Sequence, residues 1–398
     1  MADKKVNLKK IKFKKINLKS KKLRHVLFTI LKVVVFTALI LFFVFAAAEK
    51  LNISAITDFN DNFRNRIATL TPGDGYPYQI NSGAVRDITI LGSNFFVLMD
   101  DQTLSLDSTA KEVKTSSHTF SNPAMNTKGS KAVVYNRNGN RYRIENRTDT
   151  LFTGETAEDE KIITAALSKK GQLALATFSD TCSSKLMVYS SNYKKVIFEW
   201  TCSQDSITSV DLSDNGKYAA VCVVGARDGE IYSKVYVFDF DYSDPKAEFE
   251  YFGTAMVAVR FVKGDNVVAL GDNMISYIKN AKTKEDVNFD TSTLAAFDFS
   301  ESGECVIVLS QYGSTNNQVL VCYSSSFKKT CEKELKKAVK SIYMENGRIS
   351  VLFDDEIVVY RTGGGVYHKY DADNTVKSVY NLGNKTYAYS NGKIARCK

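Results

Sequence analysis

Eight glycines recur along this 398-residue chain at intervals of 36 to 48 residues. They are Gly92, Gly129, Gly171, Gly216, Gly264, Gly303, Gly347 and Gly383. Around each one, an alternating apolar run leads into a short polar turn, and a more hydrophobic run follows. Glycine adopts the positive φ of a tight hairpin turn at little steric cost. A period of about 40–45 residues built from strands is typical of a β-propeller, so we predict an all-β propeller fold.

The blade count follows from the apolar runs after these glycines, because strands packed between two blades are apolar on both faces. The predicted second strands are Phe95–Met99, Ala132–Tyr135, Leu173–Thr177, Tyr218–Val223, Val267–Leu270, Val306–Leu309, Ile349–Phe353 and Thr386–Tyr389. The last repeat offers only three strands, at Lys377–Asn381, Thr386–Tyr389 and Lys393–Cys397. An unpaired outer edge would invite aggregation, so we predict that Tyr76–Asn81 supplies the fourth strand. Eight blades result, with seven as the alternative if one weak repeat is miscounted.

The net charge of +9 is concentrated at the beginning of the chain. Residues 1–25 carry ten lysines and Arg24 against Asp3, a net charge of +10, so with Lys32 the remainder sums to −2. A nearly neutral propeller gives no footprint for nucleic acid, and none is expected as a partner. The basic tail has two interpretations: a segment that binds anionic lipid headgroups, or a topology signal with no further role.

An apolar segment, Val26–Ala48, follows this tail and is interrupted only by Lys32. As a helix its 23 residues extend about 34 Å, enough to cross a bilayer. We therefore predict a transmembrane signal anchor at residues 26–48, with a cytoplasmic tail at 1–25 and an extracytoplasmic propeller at 76–398. This places the protein in the cell membrane as a single-pass protein. Cleavage of a signal peptide after Ala48 is the alternative.

The sequence of residues 49–75 predicts an amphipathic helix and a linker next to the membrane segment. Apolar side chains recur there at steps of three and four, at Ile53, Ile56, Phe59, Phe63, Ile67 and Leu70. This spacing predicts a single apolar helix face. Three arrangements remain open: a stalk that continues the membrane helix, a helix in the outer membrane interface, or a helix docked on the propeller.

Two resemblances add to these observations. Residues 76–398 resemble WD-repeat-like and quinoprotein-like β-propellers in repeat length and in turns such as LSDNGKY, at Leu212–Tyr218. The chain lacks the Trp-Asp dipeptide of true WD repeats, and Trp200 is its only tryptophan. The order of basic tail, apolar segment and propeller resembles a family of single-pass, membrane-anchored propeller proteins of Gram-positive bacteria. That second resemblance implies an architecture and no activity.

Residues suited to catalysis are scarce. The only histidines are His25, His118 and His368, too few for a three-histidine zinc site, and no nucleophile elbow or phosphate-binding loop is present. We therefore predict no catalytic residue, metal or cofactor. An exported hydrolase or lyase, possibly metal-dependent, is an alternative that needs side chains converging from several first strands. The candidates for such convergence are Asp87, Asp211, Asp298 and Arg260.

Candidate binding residues lie in the loops that join the second strand of a blade to the third. Antiparallel order places these loops on the same face of the disc as the connections between blades. The longest of them are predicted at Ser179–Ser184, Gly225–Ser233 and Gln311–Asn317, and long loops on a rigid scaffold often carry function. The candidates are Asp180, Arg227, Asp228, Glu230, Tyr232, Gln311, Tyr312, Asn316 and Asn317. Their mixture of charge, amide and aromatic groups suits a protein partner or a cell-envelope glycan. The alternative is that these loops are tolerated insertions.

Seven cysteines all follow the apolar segment, where an exported domain can form disulfides. Cys182 and Cys202 are centred on one polar turn, and Cys322 and Cys331 on another. We therefore expect each pair to face across the third and fourth strands of a blade, within reach of a disulfide. Reduced, packed thiols are the alternative.

Together these features predict a membrane-anchored, extracytoplasmic β-propeller that acts as a protein-interaction or scaffolding module at the cell surface. Two alternatives remain, a sensor that passes a ligand signal through the single span and the exported enzyme described above. The short tail leaves no room for a signalling domain, which weighs against the sensor.

Overall fold

A computed structural model describes residues 21–51, 54–81, 83–311, 314 and 316–398, with side chains described for residues 28–43 of the first helix. The chain divides into two compact units, Met1–Leu51 and Asn52–Lys398. In the described part of the first unit, helix α1 spans Lys21–Leu51. Among the described residues, no helix has an apolar stretch long enough to cross a membrane.

The second unit is a β-propeller. Its described residues form eight four-stranded antiparallel sheets, the blades, whose strands we label a to d from the central channel outward. Strands a to d are Val85–Leu91, Asn94–Met99, Gln102–Leu106 and Glu112–Ser117 in blade 1, and Pro123–Lys128, Lys131–Asn136, Arg141–Glu145 and Thr150–Glu155 in blade 2. They are Lys161–Leu167, Leu173–Ser179, Cys182–Tyr189 and Val196–Cys202 in blade 3, and Ser206–Leu212, Tyr218–Arg227, Glu230–Asp239 and Ala247–Phe252 in blade 4. Strands a to d are Met256–Val262, Asn266–Gly271, Met274–Lys279 and Thr283–Asn288 in blade 5, and Ser292–Phe299, Cys305–Gln311, Gln318–Tyr323 and Lys329–Leu335 in blade 6. They are Ser341–Glu345, Arg348–Leu352, Glu356–Arg361 and Val366–Asp371 in blade 7, and Val376–Leu382, Lys385–Ser390, Lys393–Arg396 and Tyr78–Gln79 in blade 8.

Each repeating glycine lies in the turn between strands a and b of its blade, and all eight have positive φ, between 61° and 89°. A side chain is strained in this conformation, which explains why glycine marks the period. The eight predicted second strands coincide with strand b, except that Phe353 lies one residue beyond the end of that strand in blade 7. Strand b of blade 1, Asn94–Met99, is buried along its whole length because a blade packs on each of its faces.

The ring closes as the sequence predicts. Tyr78 pairs with Ile394 and Gln79 with Lys393, so a strand from before blade 1 becomes the outer strand of blade 8. The backbone N–H of Ile80 extends this pairing with a 2.7 Å hydrogen bond to the carbonyl of Gly392. The closure joins the two ends of the propeller and buries Ile80 in the core between blades 8 and 1.

Helix α2, Ser54–Ala68, packs against the propeller on the face that carries the a–b and c–d turns. Of the three open arrangements for this segment, the structure contains the docked helix. The contact is polar: Thr57, Asp61 and Asn65 are buried. Part of the predicted apolar face points the other way, since Phe59, Phe63 and Ile67 are 58%, 55% and 51% exposed and Leu70, just after the helix, is 75% exposed. Ile56 is half-buried, and Ile53 lies outside the described residues.

Candidate functional site on the loop face

The loop face carries the b–c turns and the d–a connections, and among its described residues a hairpin of blade 4 projects from it. Strands b and c of blade 4 have ten residues each, and they remain paired as far as Arg227 and Glu230. Asp228 and Gly229 form the turn, with φ of 54° and 84°, as in the tight turns that match the twist of a hairpin. The expectation of a long loop over Gly225–Ser233 is therefore wrong, because a regular β-hairpin fills this segment.

Side chains of the hairpin and of the neighbouring strand d hold Arg227 in place. Its Nη2 atom lies 3.0 Å from Oε1 of Glu250, and its guanidinium carbon lies 4.6 Å from the centre of the Tyr232 ring. Tyr232 is buried and donates a 2.5 Å hydrogen bond to Oδ1 of Asp205, which raises the pKa of the phenol. Tyr232 thus connects the hairpin to Asp205 near the base of the blade, while Arg227 remains exposed at the tip of the hairpin.

Exposed apolar side chains surround the base of the hairpin. Phe252 lies opposite Tyr232 in the sheet and is 61% exposed, and the centre of its ring is 6.0 Å from Arg227. Ile231 is 42% exposed, and its carbonyl accepts a hydrogen bond from Gly253, beside Phe252. We call Arg227, Glu230, Ile231 and Phe252 the blade-4 patch. A cation and two apolar groups on a rigid hairpin are the kind of surface that binds proteins.

Of the other two candidate loops, the one in blade 3 is shorter than expected, whereas the one in blade 6 has the expected bounds. In blade 3, pairing continues to Ser179 and Cys182, which leaves exposed Asp180 in a tight turn on the same face. In blade 6, strand b ends at Gln311, and a backbone hydrogen bond from Gln311 to Asn317 closes the loop. Asn316 and Asn317 are both exposed.

Tyr312 lies outside the described residues. Blade 3 adjoins blade 4, whereas the blade-6 loop is separated from the blade-4 patch by blade 5. The structure therefore places Asp180 on the blade next to the patch and the blade-6 residues elsewhere on the face.

The two cysteine pairs differ in register. Cys322 lies directly opposite Cys331 in strands c and d of blade 6. Cys202 lies opposite Ser184 rather than Cys182, so the expected cross-strand alignment is wrong for this pair. All seven cysteines are free thiols, and burial next to Cys331 raises the pKa of Cys322. A disulfide between Cys322 and Cys331 stays a prediction.

The inner strands bring carboxylates into the central channel. Asp211 Oδ2 accepts a 2.8 Å hydrogen bond from the backbone N–H of Phe261, and Asp298 Oδ2 accepts one of 2.6 Å from Met344. Each donor belongs to strand a of the following blade, whose channel edge has no neighbouring strand in its sheet. Buried backbone donors require partners, so these aspartates join blade 4 to blade 5 and blade 6 to blade 7.

Further contacts bridge the channel at the a–b turns. Buried Lys128, from blade 2, places its Nζ 3.6 Å from Oδ2 of Asp211 and 3.4 Å from Oδ1 of Asp214. The N–H of Gly129 donates a 2.9 Å hydrogen bond to Oε1 of Glu301, which lies across the ring in blade 6. Near these bridges is a cavity of about 230 Å³, lined in part by Thr89, Asn126, Arg260, Asp298, Tyr343 and Glu345.

Burial raises the pKa of three channel carboxyls, Asp87, Asp298 and Glu345. Burial raises the pKa of Asp298 to about 7 and that of Asp87 to about 6. Carboxyls with such values can act as general acids. Each oxygen of Asp298 accepts a backbone hydrogen bond, however, because Oδ1 accepts one of 2.8 Å from Phe299 in addition to the one at Oδ2. The arrangement therefore favours a structural role for this carboxyl.

Arg260 is the cation of this cluster. Its Nη1 lies 3.9 Å from Oδ1 of Asp211, and its charge lowers the pKa of Asp298, opposing the effect of burial. The convergence of Asp211, Asp298 and Arg260 that the enzyme alternative requires is thus present in part. Over the described residues, no group of three or more histidine, cysteine or acidic side chains could hold a metal ion.

Sequence reasoning missed two sets of residues. Lys128 and Glu301 bridge the channel but carry no motif, since their partners come from blades far away in sequence. Glu345 joins two neighbouring blades, because its carboxylate accepts a hydrogen bond from the backbone N–H of Glu301. The polar face of α2 was visible as Thr57, Asp61 and Asn65, at steps of four. It was overlooked because an apolar face is the one that usually docks.

Solved structures share this fold. The C-terminal WD40 domain of Sif2 superposes with a TM-score of 0.56 at 10% identity, over 81% of this chain and 98% of its own. Sqt1 of Chaetomium thermophilum, in its structure bound to the N-terminus of the ribosomal protein L10, gives a TM-score of 0.56 at 14% identity, over 81% of this chain and 99% of its own. Identities this low show a WD40-like β-propeller fold and nothing more specific.

Sequence comparison identifies the family. No curated protein matches the chain by sequence. A family profile matches residues 52–398, that is, the described propeller together with α2. The chain therefore belongs to the family of unknown function DUF5711.

Proposed function

We propose that this protein is a scaffold that binds another protein through the blade-4 patch. The observation that carries the proposal is the hairpin of two ten-residue strands, which presents exposed Arg227 and Glu230 on the same side of the sheet as exposed Phe252, with exposed Ile231 on the other side. Tight turn geometry and the contact between Arg227 and Tyr232 fix this surface before any partner binds. A preformed surface loses little entropy on binding, which favours affinity.

The fold supports the same conclusion. A β-propeller of eight blades is consistent with a protein-interaction scaffold, and the structure of Sqt1 bound to the N-terminus of ribosomal protein L10 shows a WD40-like propeller with a protein partner. The central channel is a weaker candidate for the functional site, because the oxygens of Asp298 accept hydrogen bonds from backbone N–H groups. The partner we propose is a protein, with a cell-envelope glycan as the alternative ligand of this face.

We further propose that residues 26–48 tether the propeller to the cell membrane, with the basic tail in the cytoplasm. The support comes from the sequence: 23 residues contain one charge, and eleven basic residues precede them. On this proposal the scaffold acts at the outer surface of the membrane.

Cross-linking tests the scaffold. Tagged full-length protein is cross-linked in its native membranes, alongside a variant with Arg227→Glu and Glu230→Arg. The control variant carries Lys170→Glu and Asp241→Lys, at exposed positions in turns on the opposite face. A partner that the first variant loses and the control retains supports the proposal. Equal recovery of every partner by both variants contradicts it.

Extraction tests the tether. A protein held by a membrane-spanning segment stays in the pellet after treatment with alkaline carbonate. Protease added to intact cells without walls would then digest the propeller and spare the tail. Release by carbonate, or a chain that starts at Glu49, would contradict the tether.

A further inference from the structure

The exposed side of α2 is apolar although the helix is docked. Phe63, Ile67 and Leu70 are 55%, 51% and 75% exposed, and Phe59 lies in the same row. Exposed Arg66 flanks this row. We call Phe59, Phe63 and Ile67 of α2, together with Leu70 in the turn just after it, the α2 row. Amphipathic helices of water-soluble proteins normally turn such a row toward the core, so its exposure requires a reason.

The polar side of α2 is held by blades 1 and 2. Arg147, in the c–d turn of blade 2, donates to Oδ2 of Asp61 from Nε at 2.7 Å and also hydrogen-bonds Ser93 in blade 1. Asn94 of blade 1 donates a 2.9 Å hydrogen bond to Asn65. Lys131 of blade 2 donates a 2.6 Å hydrogen bond to Asp58.

These contacts fix the rotation of the helix. Rolling α2 to bury the α2 row would leave the buried guanidinium of Arg147 without its carboxylate, and a buried charge without a partner is strongly unfavourable. The row therefore remains directed away from the propeller.

The geometry points to a lipid surface as the occupant: we propose that the α2 row lies in the interface of the membrane to which residues 26–48 are tethered. This inference rests on the proposed tether. Only residues 49–53 separate Ala48 from Ser54, and six residue steps reach at most about 20 Å when fully extended. A tether at Ala48 thus keeps α2 close to the bilayer. Phenylalanine, leucine and basic residues are typical of helices that lie in this interface.

A second copy of the chain fits less well. Four side chains exposed to this degree offer on the order of 400 Å² of apolar surface. A stable interface buries about 800 Å² from each partner. A row of this size is suited to shallow insertion into lipid, where no complementary protein surface is needed.

This placement has a consequence for the scaffold. The α2 row belongs to the face of the a–b and c–d turns, and the blade-4 patch belongs to the opposite face. With α2 on the membrane, the blade-4 patch points away from the bilayer and meets partners without obstruction. One polar docking contact would then orient the whole propeller.

Quenching of tryptophan by brominated lipid tests the inference. Full-length Phe63→Trp protein is reconstituted into phosphatidylcholine and phosphatidylglycerol vesicles, with or without acyl chains brominated near the headgroup. The matched control is Phe252→Trp, similarly exposed at 61% but on the opposite face. The parent protein, whose only tryptophan is Trp200, supplies the baseline. We expect the added tryptophan at position 63 to be quenched at least twofold more than that at position 252.

The outcomes separate the inference from the tether. If the protein floats with the vesicles but residues 63 and 252 are quenched equally, the tether stands and the inference fails. If Phe63→Cys proteins instead cross-link to each other through residue 63, the row binds a second copy and the inference also fails. If the protein does not float with the vesicles, the tether fails and the inference falls with it.

Discussion

Nε and Nη2 of Arg147 both lie 2.7 Å from Oδ2 of Asp61, and both side chains are buried. This ion pair joins the c–d turn of blade 2 to a helix 86 residues earlier in the chain. Burial raises the pKa of Asp61, and the charge of Arg147 opposes that rise. The pair decides which side of α2 meets the propeller.

Removing one partner of this pair should be costly. In the fragment of residues 52–398, Asp61→Ala leaves Arg147 buried without a counter-charge, and we expect the free energy of unfolding to fall by about 3 kcal/mol. Urea unfolding measures the loss, and limited proteolysis should cut α2 first. Arg64→Ala is the control, because its partner Asp149 and Arg64 itself are partly exposed and such pairs contribute less than about 1 kcal/mol. Equal losses in the two variants would contradict this role for Asp61.

The closing strand should also be essential for stability. Fragments that start at residues 71 and 83 both lack α2, and they differ by the strand Tyr78–Gln79 and by Tyr76 and Ile80. Without them blade 8 has an open edge, and the ring of Tyr387, which lies 4.8 Å from that of Tyr76, loses its cover. We expect the shorter fragment to melt at least about 5 °C lower by calorimetry. Equal melting temperatures would show that the closure contributes little.

Asp298 predicts a dependence of stability on pH. Its pKa rises from 3.8 to about 7 on folding, so the stability that it contributes is fully present below pH 3.8 and is lost as the pH rises through 7. Between pH 5 and pH 8 the loss should be about 2.6 kcal/mol. Asp298→Asn cannot ionise, so its free energy of unfolding should fall less over this interval. Parallel pH profiles of variant and parent in urea would contradict the assignment.

The cysteine registers predict selective oxidation. Treatment of the native protein with a mild oxidant should link Cys322 to Cys331, which lie directly opposite each other. Cys182 and Cys202 are out of register and should remain thiols. Peptide mapping without reduction identifies the linked pair. A disulfide between Cys182 and Cys202 alone would mean that the strand register differs in solution.

Local sequence was sufficient for the blades because each blade is built from neighbouring residues. A turn that needs positive φ selects Gly216 or Gly303, and the buried strand that follows selects an apolar run. The same reasoning found the closing strand, since a blade with three strands calls for a fourth. The eight-bladed propeller was predictable for these reasons.

The loop face was harder to predict. Polar residues between Gly225 and Ser233 suggested a loop, yet strand pairing extends through them to Asp228 and Gly229. Sequence composition does not separate a loop from a solvent-exposed hairpin, because both are polar. The hydrogen bond from Tyr232 to Asp205, which lies in the connection between blades, adds a tertiary contact that helps to hold this hairpin.

The sequence by itself determined the repeat, the number of blades and the strand that closes them, because local turn chemistry and the alternation of apolar residues specify these features. The tertiary structure decided the rest. The amphipathic pattern of α2 is the same whichever side docks, and only the position of Arg147 in a distant turn selects the polar side. The bridge from Gly129 to Glu301 likewise depends on blades 2 and 6 meeting across the ring, a proximity that no local pattern encodes.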